Sequence, residues 1–322
     1  MVRTKPFITV ITPTYNCEQF LWQAIDSIIS QDQTIPFDWE MLICDDGSTD
    51  NTKELVEKYI QKYPNNIFYY YQENSWIPWC ARNLWLDHMN KNSDFTVLID
   101  SDDWLKSDCF YKCLKVFLWN NWDKYFSVLF LCETQFWKKI WDLSIFWNKK
   151  SINIDYKRTL KWDIDFELCS MIRSNLYLSQ DFRYETDIIT ESVLHFKIRK
   201  FCDTQNQKWL LLNYIWRVYR IWEWVQITKT ISPIRFKRNA IWNERILDII
   251  QPDLIKYWFK KSESEYLFRA GINRIMYWER KKWLSLLRQS LKTYFQIKVF
   301  ILYLISLILW KNLIIFLYKL YI

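Results

Sequence analysis

Four short apolar runs divide the first hundred residues, and helical patterns separate them. Phe7-Ile8-Thr9-Val10-Ile11-Thr12 is β-branched and apolar and stops at Pro13; Met41–Cys44, Ile67–Tyr71 and Phe95–Ile99 are the other three. After the first run, Phe20, Leu21, Ala24, Ile25, Ile28 and Ile29 recur at helical spacing, which predicts a helix within 17–31. Leu55, Tyr59 and Ile60 mark the next helix, with caps on offer from Ser48 to Asn51, and residues 81–89 mark a third. Strands alternating with helices demand a mostly parallel sheet with crossover helices on its faces. Ligands of such sheets bind beyond the carboxyl ends of the strands. Further along, 106–118 reads as helix, 124–132 as strand, 209–228 as short strand signals and 240–322 as mostly helix.

Three of the four strands end in residues suited to phosphate or metal. Asp100-Ser101-Asp102-Asp103 follows the fourth, and alternation along a strand aims Asp100 and Asp102 to one side. Carboxylates so close repel unless a cation or hydrogen bonds offset them, and hard oxygen ligands favour Mg²⁺ or Mn²⁺ shared with substrate phosphates. Asp45-Asp46-Gly47-Ser48-Thr49-Asp50 follows the second strand. Carboxylates there can accept hydrogen bonds from a base or ribose, and the free amides at the next helix start favour anions. Thr12-Pro13-Thr14-Tyr15-Asn16 ends the first strand and offers Tyr15 to cover a nucleobase. Taken singly, each is also an ordinary strand-to-helix turn.

Taken together, Pro13-Thr14-Tyr15-Asn16, Asp45-Asp46-Gly47-Ser48-Thr49-Asp50, Ala81-Arg82-Asn83 and Asp100-Ser101-Asp102-Asp103-Trp104 have a recognisable order and spacing. The chain resembles the family 2 glycosyltransferases, strongly over about residues 7–104 and weakly to about 230. The resemblance implies the α/β GT-A fold, a Rossmann-like, mostly parallel central sheet flanked by helices, here with a helical C-terminal extension. It implies an inverting enzyme that moves a sugar from a nucleotide-diphospho-sugar, foremost a UDP-sugar, to a hydroxyl of a glycan or lipid-linked acceptor with Mn²⁺ or Mg²⁺. On that reading residues 1–105 are the nucleotide-sugar-binding half, 106–234 the acceptor-side half of the same catalytic domain, and 235–322 a basic helical region.

The same resemblance assigns nucleoside contacts to Thr12, Pro13, Tyr15, Asp45, Asp46, Arg82, Asp100 and Ser101, and metal contacts to Asp102, Asp103 and Asp100. The family's general base is usually an Asp following a Glu. The match here is Thr190-Glu191-Ser192, with Ser192 in the Asp position. Serine takes no proton unaided, so Glu191 is the first candidate and Asp187 the second. Leu168–Arg173 looks like the acceptor-side strand, after which Asp181–Tyr184 reads as strand-like; Tyr219-Arg220 with Gln226-Ile227-Thr228 looks like a late segment closing over the donor. Two rivals stand beside this reading. One is a nucleotide-sugar-binding scaffold without catalysis, which Ser192 makes thinkable. The other is a sugar nucleotidyltransferase, which would want an early glycine-rich phosphate loop that the chain lacks.

The net charge of +8 is uneven, for residues 235–322 hold 17 Lys/Arg against 6 Asp/Glu. The last acidic residue is Glu279; the basic residues after it lead into the apolar run Val299–Trp310, too short for a membrane span. This pattern predicts a basic helix on an anionic membrane surface. The bland reading is a helix closing the core. No nucleic-acid partner is expected, since the basic residues follow no recognition motif. Eight scattered cysteines and two histidines make a metal cluster or disulfide framework a poor fit. The opening Met1–Pro6 shows no apolar signal region, so the expected location is cytoplasmic, peripheral on the inner face of the cell membrane.

One compositional oddity bears on everything above. The chain has 2 glycines and 21 tryptophans, where average usage gives about 23 glycines. The two counts together reach that number. Trp76 and Trp85 stand where members of the resembled family commonly have glycine, and Trp79, Trp222 and Trp224 raise the same question. Trp222-Glu223-Trp224 falls in what should be a turn, where glycine supplies positive φ. The pattern points to UGA codons that encode glycine being read as tryptophan. A truly tryptophan-rich protein with aromatic platforms for sugars is the rival. Recoding predicts indoles that are exposed or sit on strained backbone, and good packing of most of them argues against it.

Overall fold

The computed structural model describes residues 5–74, 78–119, 124–136, 146, 148–161, 169–179, 182–184, 192–220, 233–274 and 279–308. Glu191, Asp187, Trp76, Trp222 and Trp224 lie outside them. The chain forms two compact units: residues 1–155, 165–184 and 200–223 in the first, and 156–164, 185–199 and 224–322 in the second.

The first unit is built on one sheet. Strands β1 (Phe7–Thr14), β2 (Asp38–Asp45), β3 (Ile67–Tyr71) and β4 (Phe95–Leu98) run parallel in the order β3-β2-β1-β4. Their apolar runs are continuous because both faces are covered: Ile8, Val10, Ile43 and Val97 are fully buried. The crossovers are α1 (Leu21–Ile29), α2 (Thr52–Lys62) and α3 (Pro78–His88). Beyond β4 the sheet turns mixed. β5 (Trp104–Leu105), α4 (Cys109–Trp119), β6 (Tyr125–Thr134) and β7 (Ser151–Ile154) follow in sequence. Across the sheet, β8 (Cys169–Arg173) pairs antiparallel with both β4 and β6, and β6 runs parallel to β9 (Lys208–Tyr219). β5 and β7 are both antiparallel to β9. Strands from both 1–105 and 106–234 thus lie in this sheet, while residues 156–164, 185–199 and 224–234 belong to the second unit.

β1 runs on through Pro13 to Thr14, two residues further than its composition suggests. By Pro13 only β2 lies beside it, because β4 ends at Leu98 opposite Ile11. A residue without an N–H is tolerated where the ladder is one-sided. Residues 182–184 are loop, although Asp181–Tyr184 reads as strand-like. The Asn83 side chain stands in for a strand there: its Nδ2 donates to the Tyr184 carbonyl at 2.9 Å and its Oδ1 accepts the Tyr184 N–H at 2.8 Å.

Short helices α5 (Tyr156–Leu160), α6 (Asn175–Ser179) and α7 (Ser192–Thr204) precede the helical stack of the second unit. That stack is α8 (Pro233–Lys256), α9 (Lys260–Arg274), α10 (Arg280–Thr293) and α11 (Ile297–Ile308). Ile246, Ile250 and Leu254 of α8 pack with Tyr266, Leu267 and Ala270 of α9. Gly271 lets α10 approach α9 closely, since a Cβ there would sit 3.2 Å from side-chain atoms of Leu286 and Leu287.

The described tryptophans divide. Trp85, Trp209, Trp216 and Trp283 are buried, while Trp22, Trp119 and Trp258 are exposed. Two details go beyond burial. The Trp85 indole N–H is enclosed without a hydrogen-bond partner among the described residues, an arrangement that costs roughly 1–3 kcal/mol. Trp258 sits at φ 59°, in the left-handed region.

Candidate active site

The carboxyl ends of β1, β2 and β4 lie side by side. Thr14 stands opposite Asp45 in the ladder, the Asp46 N–H donates to the Thr14 carbonyl at 2.9 Å, and the Ile99 N–H donates to the Ile11 carbonyl at 3.0 Å. Thr12, Pro13, Tyr15, Asp45, Asp46, Asp100 and Ser101 are therefore brought to one edge. Of these Tyr15 is about half exposed, at 47%. The hydroxyls of Thr12 and Thr14 are buried and lack a partner among the described residues.

The two turns that follow β1 and β2 are laced together. Asn16 takes positive φ, its N–H donates to Ser48 Oγ at 2.9 Å, and its Oδ1 accepts the Thr49 N–H at 2.7 Å. Gly47 is required twice over: φ is +85°, and a Cβ would lie 2.6 Å from the Asn74 backbone nitrogen. Asp45 works within this turn. Its Oδ1 accepts the Ser48 N–H at 2.7 Å and its Oδ2 the Tyr69 hydroxyl at 2.6 Å. Burial and this carboxylate push the Tyr69 phenol well above its usual range. Asp46 receives a hydrogen bond from the Gln72 amide.

At the end of β4, arginines and carboxylates interlock. Arg82, on α3, donates from Nη2 to Asp100 Oδ1 at 3.0 Å. Arg217, near the end of β9, donates from Nη2 to Asp100 Oδ2 at 2.6 Å and from Nε to Asp103 Oδ2 at 2.5 Å. The other Asp103 oxygen accepts the Arg220 N–H at 2.9 Å. The Arg220 side chain donates to the Asp102 carbonyl at 3.2 Å, pairs with Gln23, and lies over the rings of Phe20 and Trp104. Burial raises the Asp103 carboxyl, to about 7, against the pull of Arg217. At Asp100 burial acts the same way, but Arg217 and Arg82 outweigh it and hold the carboxyl below its ordinary value.

This arrangement reshapes the metal expectation. Among the described residues no three His, Cys, Asp or Glu side chains converge as a metal cage. Asp103 is fully buried and both its oxygens are engaged within the protein, so it serves as an anchor for the loop. Asp102 is half-buried at the same edge. A divalent cation that takes most ligands from substrate phosphates and water needs only one or two protein carboxylates. Asp102 fits that smaller donor set; Asp100, with Arg82 and Arg217 on its two oxygens but its side chain 35% exposed, stands beside it as the second donor once an arginine turns to the substrate. Arg217 escaped the sequence reading; its one signal is a cation inside the run Trp-Arg-Val-Tyr. Glu191 and Asp187, the expected bases, lie outside the described residues.

The model of the glycosyl transferase family 2 matches residues 9–177, more than half of the chain. The chain belongs to this family. Among sequence relatives of this family 2 member, the Mycoplasma genitalium glycosyltransferase MG025 is 34% identical over 118 residues, 35% of this chain and 37% of the relative. The minor teichoic acid biosynthesis protein GgaA of Bacillus subtilis is 37% identical over 95 residues, 30% of this chain and 21% of GgaA. The chain thus spans about a third or less of the length of these relatives. In three dimensions, S. aureus TarS 1-349 in complex with UDP-GlcNAc aligns with a TM-score of 0.64 at 19% identity, covering 93% of this chain and 86% of that one. The mannosyltransferase PcManGT of Pyrobaculum calidifontis, in complex with GDP-Man and Mn²⁺, aligns at 0.55 with 16% identity, covering 92% and 78%. These likenesses establish the GT-A fold.

Proposed function

We propose that the chain transfers a sugar from a nucleotide-diphospho-sugar, foremost a UDP-sugar, to a hydroxyl of a glycan or lipid-linked acceptor, with inversion. The observation that carries this reading is the edge where Thr12, Asp45, Asp46, Arg82, Asp100 and Asp102 meet, with two buried threonine hydroxyls awaiting partners. UDP-GlcNAc bound to TarS and GDP-Man bound to PcManGT support a nucleotide-sugar donor, and the teichoic acid role named for GgaA supports a surface glycan as the acceptor. Thr12, Pro13, Tyr15, Asp45, Asp46 and Ser101 would bind the nucleoside, and Arg82 offers a forked contact to base or phosphate. Asp102, with Asp100 beside it, would hold Mn²⁺ or Mg²⁺, consistent with the Mn²⁺ of PcManGT. When bound, the cation offsets charge building on the departing nucleoside diphosphate. Asp103 and Arg217 keep the loop in register. Glu191, with Asp187 in reserve, would take the acceptor proton.

A screen of nucleotide sugars with Mn²⁺, read by release of nucleoside diphosphate and by transfer to acceptor, tests the proposal. Asp102→Asn should lose at least a hundredfold in rate while the chain stays folded. Donor binding with no release or transfer under any condition would favour the scaffold reading instead. The work belongs at the cytoplasmic, inner face of the membrane on this reading.

The proposal extends to the residues themselves: the natural protein carries glycine at Trp76, Trp79, Trp85, Trp222 and Trp224, and the left-handed backbone adds Trp258 to them. The positive φ at Trp258 and the unpartnered indole of Trp85 support it. The four buried tryptophans weigh on the other side. UGG codons at these positions would end the idea, and UGA codons would call for the donor screen to be run on the glycine-restored chain.

A further inference from the structure

We infer that the outward face of α11, rimmed by the basic outer stripe of α10, docks the protein on an anionic lipid surface. Ile297, Phe300, Ile301, Leu304 and Leu307 are each between 37% and 63% exposed, and their spacing gathers them on one side of the helix. The opposite side is already occupied. Val299 is fully buried there, and Leu302, Tyr303 and Ile305 pack with Trp283 and Leu287 of α10. Phe295, 62% exposed in the turn before α11, prolongs the open ridge. A helix apolar on both sides with one side uncovered is the usual mark of an interaction surface.

Charge decides what covers it. No acidic residue follows Glu279. Lys281, Arg288 and Lys292 are exposed on α10 at positions that form one stripe, opposite the buried Trp283, Leu287 and Ser290. This stripe adjoins the ridge: Arg280 donates to the Leu307 carbonyl at 2.7 Å, and Arg288 donates to the Tyr303 hydroxyl at 2.9 Å. An anionic bilayer answers both features, since it accepts apolar side chains below its headgroups and attracts each nearby Lys or Arg. A second copy of the chain would instead set like charges against one another. The 12 described residues of α11 span about 18 Å, against roughly 30 Å of hydrocarbon, and no helix among the described residues is long and apolar enough to cross.

Cosedimentation of the full chain with vesicles tests this, with neither donor nor acceptor present, so the result stands apart from any catalytic outcome. Vesicles of phosphatidylcholine with phosphatidylglycerol should bind at least tenfold better than phosphatidylcholine alone, and added salt should weaken the binding. The double variant Ile301→Glu/Leu304→Glu should lose at least tenfold on anionic vesicles. Lys281→Glu/Lys292→Glu should erase the preference for them. Circular dichroism checks that each variant folds, and either one alone suffices if the other does not. No binding, or equal binding to both vesicle types, would overturn the inference. A concentration-dependent dimer that Ile301→Glu/Leu304→Glu makes monomeric would also overturn it, and would make the ridge a contact between copies.

Discussion

Each unit of the molecule contains a buried arginine that bridges two carboxylates, and the two bridges differ in whether one of those carboxylates is sealed from water. In the first, Arg217 joins Asp100 to Asp103 with its side chain 6% exposed and Asp103 wholly buried. In the second, Arg274 of α9 joins Glu244 of α8 to Glu279 before α10, with those carboxylates 22% and 44% exposed and Lys282 sharing Glu244. Both arginines are buried, 6% and 9% exposed, and water reaches Asp100, Glu244 and Glu279; Asp103 alone among the four carboxylates is sealed from it. A wet ion pair contributes little because solvent screens it and holding long side chains costs entropy. A dry one is costly to desolvate, and its loss strands a buried charge. The helical stack can therefore do without its bridge, whereas the strand-end loop depends on its own.

The sharpest way to break this comparison is to remove each arginine. Arg217→Met should cost about 3–5 kcal/mol, because Asp103 and Asp100 lose their shared partner. Arg274→Met should cost less, about 1 kcal/mol, because Lys282 still holds Glu244 and solvent reaches Glu279. Urea denaturation measures both, and equal losses would show that burial is not what separates the two sites. The loop should also lose its geometry, so donor-dependent activity should fall with Arg217→Met and survive Arg274→Met.

The two glycines extend the comparison. Gly47→Ala should cost about 1–3 kcal/mol, since positive φ and the close Asn74 backbone act together. Gly271 has no such φ, and its neighbours are movable side chains of Leu286 and Leu287. Alanine there gains helix propensity and loses packing, so Gly271→Ala should change stability by less than about 1 kcal/mol. Thermal unfolding of the pair distinguishes a backbone requirement from a packing convenience.

How far the sequence could be read follows from where each signal resides. β1, β2 and β4 were legible because strands covered on both faces need unbroken apolar runs, and their polar ends were legible because turns need Asp, Asn and Gly. The Arg217 bridge was not. Its carboxylate partner Asp103 lies 114 residues earlier, and the two meet only because β5 pairs with β9. Periodicity cannot carry information over that distance. Asp103 looked like a third metal ligand for the same reason, since a run of aspartates does not say which one turns inward. Residues 182–184 misled differently: the Tyr184 backbone is hydrogen-bonded, but by a side chain of α3 in place of a strand.

Acid titration sharpens the contrast from the wet side. Burial raises the Glu244 carboxyl, but hydrogen bonds from Arg274 and Lys282 outweigh it and leave the group below its ordinary value. A depressed folded value means that the stabilisation is present above the unfolded carboxylate range and is lost as pH falls through the folded value. Glu244→Gln should thus cost about 1 kcal/mol near neutral pH and flatten the acid limb of a stability–pH curve. An unchanged acid limb would remove Glu244 from the bridge's account.

The smallest effect has the opposite sign. α8 closes with the Phe259 N–H donating to the Leu254 carbonyl at 2.9 Å and the Trp258 N–H donating to the Ile255 carbonyl at 3.1 Å. That pair of bonds, with Leu254 and Phe259 in one apolar cluster, is the helix ending in which glycine normally takes the left-handed residue. Trp258 occupies it at φ 59° with 76% of its surface exposed, so the indole has little packing to lose. Left-handed backbone costs a non-glycine residue about 1–2 kcal/mol. The contact of Lys260 with the indole ring, at 5.2 Å, returns about 0.5–1 kcal/mol. Trp258→Gly should therefore stabilise the chain, by about 0.5 kcal/mol, a gain that chemical denaturation of the two variants side by side can resolve. A loss instead would mean that the indole contributes at this helix end, and would remove the strongest structural support for glycine in the natural protein.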